Sequence, residues 1–228
     1  LRVRAAARSL FRLHAFKDKN MTASGHAKII ARKNVFDGYH QLELVTVQPK
    51  SLKHDGFAGE MTRDVFYCKE VVSVLLYIPE TDEILLNQQF RTGALMAGAD
   101  DPFLLECSAG AIDDGESPED AAKREALEET GSAVRELVFI SNAYSSPGCV
   151  AEKWHLYVGR VMDAAPGLHG LESEAEEIKT HLLPAARVFD MLDNGRITNI
   201  STAMMLNWFA RHKDSLRRRW LNEKDQAS

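Results

Sequence analysis

Residues 110–132 read GAIDDGESPEDAAKREALEETGS, a glycine-punctuated loop running into a strongly signalled helix. Ser117 can cap that helix, Pro118 suits its first position, and Glu119 and Asp120 favour the positive end of the helix dipole. Gly131 supplies a left-handed stop. These signals predict a helix over residues 117–130. Glu125, Glu128 and Glu129 stand at i, i+3 and i+4. They therefore share one face, with Cβ atoms about 5–6 Å apart. Three carboxylates that close repel. Arg124 is next in sequence but turned about 100° from Glu125, so no residue inside the helix is expected to offset all three. Glu116 precedes the helix and can fold back toward Arg124. Two readings of the acidic face stand side by side. One is a solvated surface. The other is a cage for a hard divalent cation such as Mg²⁺, whose remaining ligands are waters and substrate phosphates.

On either side the pattern alternates strand and helix. Residues 28–36 and 40–48 read as two strands meeting at Asp37-Gly38, a hairpin turn signal. Residues 63–78 and 83–91 read as longer strands around the turn Pro79-Glu80-Thr81-Asp82. Further strands are expected at 103–109, 134–141, 154–162 and 177–183, and helices at 184–193 and 198–212. The fold class is α/β. Residues 1–21 form a basic leader, 22–65 a small β-rich extension, 66–213 the α/β domain and 214–228 a solvated tail.

The first 17 residues hold four Arg, one Lys and no acid, with Leu10, Phe11, Leu13 and Phe16 at amphipathic helical spacing. That composition suits an organelle transit peptide. The alternative is a disordered leader, with Met21 as the natural first residue. The expected location is accordingly cytoplasmic, or the mitochondrial matrix if the leader is a transit peptide.

Composition narrows the function classes. The chain has 228 residues, enough for a core without staples. The formal charge of −5 does not suit coating a nucleic-acid backbone. No stretch approaches 18 uninterrupted apolar residues, so no membrane span is expected. Cys68, Cys107 and Cys149 are widely spaced and odd in number, which excludes a disulfide scaffold and a CxxC zinc site. Cys107 reads as a small buried hydrophobe, His169 and His181 as satisfied surface histidines, and Met204, Met205, Trp208 and Phe209 as core contacts.

The spacing of seven positions is specific: Gly110, Glu116, Arg124, Glu125, Glu128, Glu129 and Gly131. It resembles the box of the Nudix hydrolases. Ala126 and Ser132 depart from its softer aliphatic positions, which bears on local packing more than on chemistry. The resemblance implies an α/β/α sandwich with a mixed sheet, and Mg²⁺- or Mn²⁺-dependent hydrolysis of a nucleoside diphosphate linked to another group. It makes Glu125 and Glu129 the principal metal ligands, with Glu128 assisting and the Ala109 carbonyl completing the set. Gly110, Glu116, Arg124 and Gly131 become the structural members of the box.

Outside the box the chain resembles the ADP-ribose pyrophosphatase branch, over roughly residues 38–211. Pro147 lies 16 residues after Gly131 in Ser145-Ser146-Pro147-Gly148; its alternative is an ordinary type II turn. Gln88-Gln89-Phe90-Arg91, Pro102-Phe103-Leu104-Leu105-Glu106 and the segment from Asn194 to Asn199 match the same branch. The resemblance implies a homodimer that swaps its N-terminal extension, so that each site draws on both chains. Tyr39 would stack on adenine, and Arg63 would reach the neighbouring site. Arg91 would meet the diphosphate, Glu152 the terminal ribose hydroxyls, and Pro147 and Gly148 the substrate. In the loop GLESEAEE, Glu174 would manage the attacking water, with Glu176 as a further metal ligand; Glu172 and Glu177 are the other carboxylates there. Rival substrates are GDP-mannose, UDP-glucose and NADH, and the rival class is a non-catalytic nucleotide sensor. Neither a nucleic-acid nor a membrane partner is expected.

Overall fold

The computed structural model describes residues 25–170 and 176–225. The basic leader therefore lies outside the described residues, as do Glu172 and Glu174. Two compact units divide the chain, one ending at Phe66 and the other starting at Tyr67.

In the first unit, β1 (Ala27–Asp37) and β2 (Gln41–Pro49) form an antiparallel hairpin in the register Asp37↔Gln41. The Gly38 amide donates to the His40 carbonyl across the turn. Register shifts at Ile29/Ala31 and Asn34/Phe36 mark irregularities in β1. β3 (Met61–Tyr67) lies beside β2. Thr46 and Thr62 share a hydroxyl hydrogen bond of 2.9 Å. Val45 is the one buried side chain of β2, so this unit carries almost no core of its own.

The second unit is built on β4 (Val71–Ile78), β5 (Glu83–Phe90), β6 (Phe103–Glu106), β7 (Ser108–Ala111), β8 (Glu136–Tyr144), β9 (Val150–Ala151), β10 (Lys153–Arg160), β11 (Leu168–His169) and β12 (Ile178–Pro184). A short helix α1 (Thr92–Met96) follows β5. The other helices are α2 (Pro118–Thr130), α3 (Ala185–Asp193) and α4 (Ile200–Asp225). The main sheet runs β11-β12-β5-β4-β10-β8, with β6 added to β5 and β7 to β4. β10 pairs parallel to β4 while β8, β5 and β7 join antiparallel, so the sheet is mixed.

Strand alternation feeds two cores. Leu75, Tyr77, Ile84, Leu86, Leu156 and Val158 face a core that includes Val188, Met205, Phe209 and Trp220 from α3 and α4. Val72, Val74, Leu76, Leu85 and Tyr157 face the other, completed by Ala121, Ala122 and Ala126 of α2. The alanines matter because they let the box helix lie close to the sheet. Layers of α3 with α4, sheet and α2 make the expected α/β/α sandwich.

Three boundaries differ from the sequence reading. The stretch 63–78 is two strands broken at 68–70, and 103–109 is two strands broken at Cys107. The solvated tail expected from residue 214 is instead the continuation of α4 to Asp225. Its Leu216 and Trp220 are buried, so one face of a highly basic run is core. The basic residues masked this periodicity.

Candidate active site

The box helix forms as its signals require. Ser117 Oγ accepts from the Asp120 amide at 3.1 Å, a cap worth about 1 kcal/mol. Gly131 closes the helix at φ 68°, its amide donating to the Leu127 carbonyl. Ahead of the helix, β7 runs antiparallel to β4 and carries Ala109 and Gly110 past its N-terminal half. A Cβ on Gly110 would collide with the Glu125 carboxylate. Glycine is needed there so that Glu125 can lie flat against the strand.

Arg124 pairs with Glu116 and with two of the three glutamates of the face, Glu125 and Glu128, and not with Glu129, in line with the expectation that no residue of the helix offsets all three. Its Nε and Nη2 each donate to Glu116 at 2.9 Å, and Nη2 also reaches the Ala111 carbonyl. Its Nη1 meets Glu125 at 2.6 Å and Glu128 at 3.2 Å. The long flexible stem lets one guanidinium touch three carboxylates despite the angular offset at Cα. Hydrogen bonds to Glu116, ahead of burial, hold the Arg124 pKa well above its ordinary value. The same pairing holds Glu116 below the usual carboxylate range.

Glu129 is the most enclosed member of the face, only 5 % exposed. Its Oε2 accepts from Asn87 Nδ2 at 2.8 Å, from the Ala109 amide at 3.0 Å and from Ser108 Oγ. Burial, with Glu125 and Glu176 nearby, pushes its carboxyl up to about 8. Burial also raises Glu125, against the pull of Arg124, and Glu128 and Glu176 add to the rise. Glu176 is held by Gln89, whose Nε2 donates to its Oε1. Glu125, Glu128, Glu129 and Glu176 thus share one electrostatic environment.

Among the described residues, no three His, Cys, Asp or Glu side chains form a ready-made metal cage. Arg124 takes up Glu125 and Glu128 instead. The donor set nevertheless fits a hard divalent cation: it is all carboxylate oxygen, and its most buried members are raised first by burial and then by the neighbouring carboxylates, both of which a cation would offset. Asn87 Oδ1 beside it is buried without a hydrogen-bond partner among the described residues.

Arg91, at the end of β5, donates to Glu106 Oε2 from Nε at 2.9 Å and from Nη2 at 2.6 Å. Burial would lower its pKa, but Glu106, Glu129 and Glu176 outweigh that and hold it raised. Arg91 therefore stands beside the carboxylate cluster. Glu152 accepts from Trp154 Nε1 at 2.6 Å and adjoins Cys68, whose thiol burial pushes up to about 11. Pro147 and Gly148 sit in an exposed turn where the amides of Cys149 and Val150 both donate to the Ser146 carbonyl. Gly148 is not among the positive-φ glycines, so the type II turn considered from the sequence is not formed. Tyr39 and Arg63 belong to the first unit. Tyr39 is exposed with its ring edge-on to His40, and Arg63 Nη1 donates to the Thr62 carbonyl.

Sequence reasoning assigned no role to Asn87, Ser108 or Glu106. Each is a buried polar side chain on a strand of the main sheet, where a buried polar group needs a partner. Two secondary readings change as well. Met204 is partly exposed rather than core. His181 bonds Gln88 at 3.0 Å, whereas His169 Nε2 is buried without a partner among the described residues.

The family profile described as NUDIX domain matches residues 69–200. An ADP-ribose pyrophosphatase of Escherichia coli (strain K12) is 33% identical over 198 residues, covering 85% of this chain and 92% of its own. An ADP-ribose pyrophosphatase of Haemophilus influenzae is 32% identical, covering 85% and 90%. A GDP-mannose pyrophosphatase of Salmonella paratyphi B is 32% identical over 79% of this chain and 93% of its own. A solved structure described as an ADP compounds hydrolase superposes with a TM-score of 0.60 at 21% identity, covering 87% of this chain and 96% of that one, and supports the fold. With the box seated on α2 and the sandwich around it, the chain belongs to the NUDIX family.

Proposed function

We propose that this chain hydrolyses the pyrophosphate bond of ADP-ribose to AMP and ribose 5-phosphate, using Mg²⁺ or Mn²⁺. The observation that carries the reading is the acidic face of α2, with Glu129 buried and aimed by Asn87, Ser108 and the Ala109 amide. A solvated surface helix has no use for a buried carboxylate held by three donors. A non-catalytic sensor would not need the full set of carboxylates. The substrate follows the relatives named ADP-ribose pyrophosphatase.

In this reading Glu125 and Glu129 hold the metal, with Glu128, Glu176 and the Ala109 carbonyl as further ligands. A bound divalent cation neutralises the diphosphate charge and lowers the pKa of a bound water. Arg91 grips the phosphate oxygens with a guanidinium already set in place. Glu174 orients the attacking water and takes its proton as oxygen bonds to phosphorus and the bridging oxygen leaves. Glu152 holds ribose hydroxyls, and Pro147 and Gly148 shape the wall beside them. Tyr39 stacks on adenine. Arg63 comes from the second chain of a homodimer.

The GDP-mannose pyrophosphatase relative supports a second reading, the same chemistry on a GDP-sugar. A panel of ADP-ribose, GDP-mannose, UDP-glucose and NADH with Mg²⁺, ranked by kcat/KM, separates them. ADP-ribose ranks first in the proposed reading. GDP-mannose first would move the substrate, and hydrolysis of none would overturn the reading.

A further inference from the structure

Arg91 is held from one side only. Glu106 Oε2 takes both Nε and Nη2, leaving Nη1 without a hydrogen-bond partner among the described residues. Glu106 itself is 3 % exposed, a buried carboxylate at the end of β6. Its second oxygen accepts from Asn199 Nδ2 at 2.9 Å. Asn199 stands immediately before α4, where its Oδ1 accepts from the Thr202 amide at 3.0 Å and from Ser201 Oγ at 2.8 Å. It is the cap of that helix. Thr202 Oγ1 in turn accepts from the Cys107 amide, between Glu106 and the strand leading into the box.

The chain of contacts therefore runs from the first turn of a 26-residue core helix through Asn199 and Glu106 to Arg91. A buried carboxylate is expensive unless its partners are fixed. Glu106 meets that condition with one partner in the core and one beside the carboxylate cluster. Its burial makes no sense as surface charge balance, because Arg91 could neutralise itself against Glu129 or Glu176. What Glu106 adds is a fixed orientation: taking Nε and Nη2 pins one edge of the guanidinium and leaves Nη1 for another partner.

We infer that Glu106 is a positioning residue for substrate binding, anchored by Asn199, and that it aims Arg91 at the diphosphate. This rests on the proposed role of Arg91 as a phosphate ligand and goes beyond it by naming what sets its geometry. Neither Glu106 nor Asn199 touches substrate in this arrangement.

The test measures the dissociation constant of α,β-methylene ADP-ribose, an uncleavable analogue, with millimolar Mg²⁺. Wild type is compared with Arg91→Ala, Glu106→Gln, the double variant and Asn199→Ser. Glutamine keeps the shape but offers an N–H in place of one acceptor. Serine keeps a cap acceptor but withdraws the amide that holds Glu106. Charge-assisted hydrogen bonds set the scale: Arg91→Ala weakens binding about 100-fold, Glu106→Gln about 10-fold and Asn199→Ser about 3-fold. The double variant binds no more weakly than Arg91→Ala, because both changes remove one function. In turnover, KM rises more than kcat falls. Should Glu106→Gln fail to fold, Asn199→Ser carries the comparison, with its Tm as the control. Wild-type affinity in the variant that folds, or additive losses in the double variant, overturns the inference while Arg91 keeps its role. Wild-type affinity in Arg91→Ala, or no analogue binding by wild type, overturns the underlying reading and this inference together.

Discussion

Glu129 shows at the scale of one residue how a folding penalty becomes a functional asset. Its carboxyl is buried beside two like charges and pushed up to about 8. Three donors still converge on one of its oxygens. Glu129→Gln removes the repulsion and keeps the shape, so its Tm should equal or exceed that of wild type. Its kcat should fall by at least about 10²–10³-fold, because the lost charge is the one needed against the phosphoanhydride. Gly110→Ala differs, since the added methyl meets the Glu125 carboxylate. Displacing Glu125 should lower activity and cost about 1–3 kcal/mol of stability, read by denaturant unfolding. The box residues were legible because the pattern fixes both type and offset. Asn87 and Ser108 were not, because a polar residue on a strand does not by itself name its partner.

At the scale of elements, α4 is where the sequence misled. Arg217-Arg218-Arg219 reads as a solvated tail, yet Leu216 and Trp220 are buried. Trp220 packs against Tyr77, with ring centroids 6.3 Å apart. Trp220→Ala should destabilise the fold by about 3–5 kcal/mol in denaturant unfolding; a solvated tail would lose nothing. The turn after β4 adds a second tie. Asp82 accepts from Lys213 Nζ and from the Tyr77 hydroxyl. Burial would raise its pKa, but these bonds and the charges of Lys213 and Arg217 hold it below the usual carboxylate range. A group lowered in the fold contributes stability above its unfolded pKa of about 3.9 and loses it as pH falls through the folded value. Asp82→Asn, which tolerates the positive φ of 58°, should therefore be less stable than wild type at neutral pH. The two unfolding curves should converge at acid pH. The helices and most strands were legible because periodicity and caps are local. The breaks at 68–70 and at Cys107 were not, since nothing local distinguishes a strand that ends from one that changes partner.

At the scale of the whole molecule, the two-sided core explains why a short acidic helix can be held rigidly. α2 presents alanines to the sheet and keeps its glutamates on the flank, while α3 and α4 fill the opposite side. The sandwich was legible from the alternation of strands and helices together with the box. The homodimer is a different matter. If Arg63 is supplied by the partner chain, co-expressed Arg63→Ala and Glu129→Gln chains should regain activity that neither has alone, with about a quarter of all sites intact. Activity no greater than that of the two variants measured separately would place Arg63 outside the partner's site.

Release of AMP from ADP-ribose across a Mg²⁺ titration, in wild type and in Glu129→Gln side by side, bears most directly on the acidic face of α2. Wild type should be silent in a chelator and rise to saturation with Mg²⁺, while the variant stays near baseline at every concentration. Equal AMP release by both proteins, or full wild-type release in the chelator, would contradict hydrolysis by carboxylate-held metal on that helix.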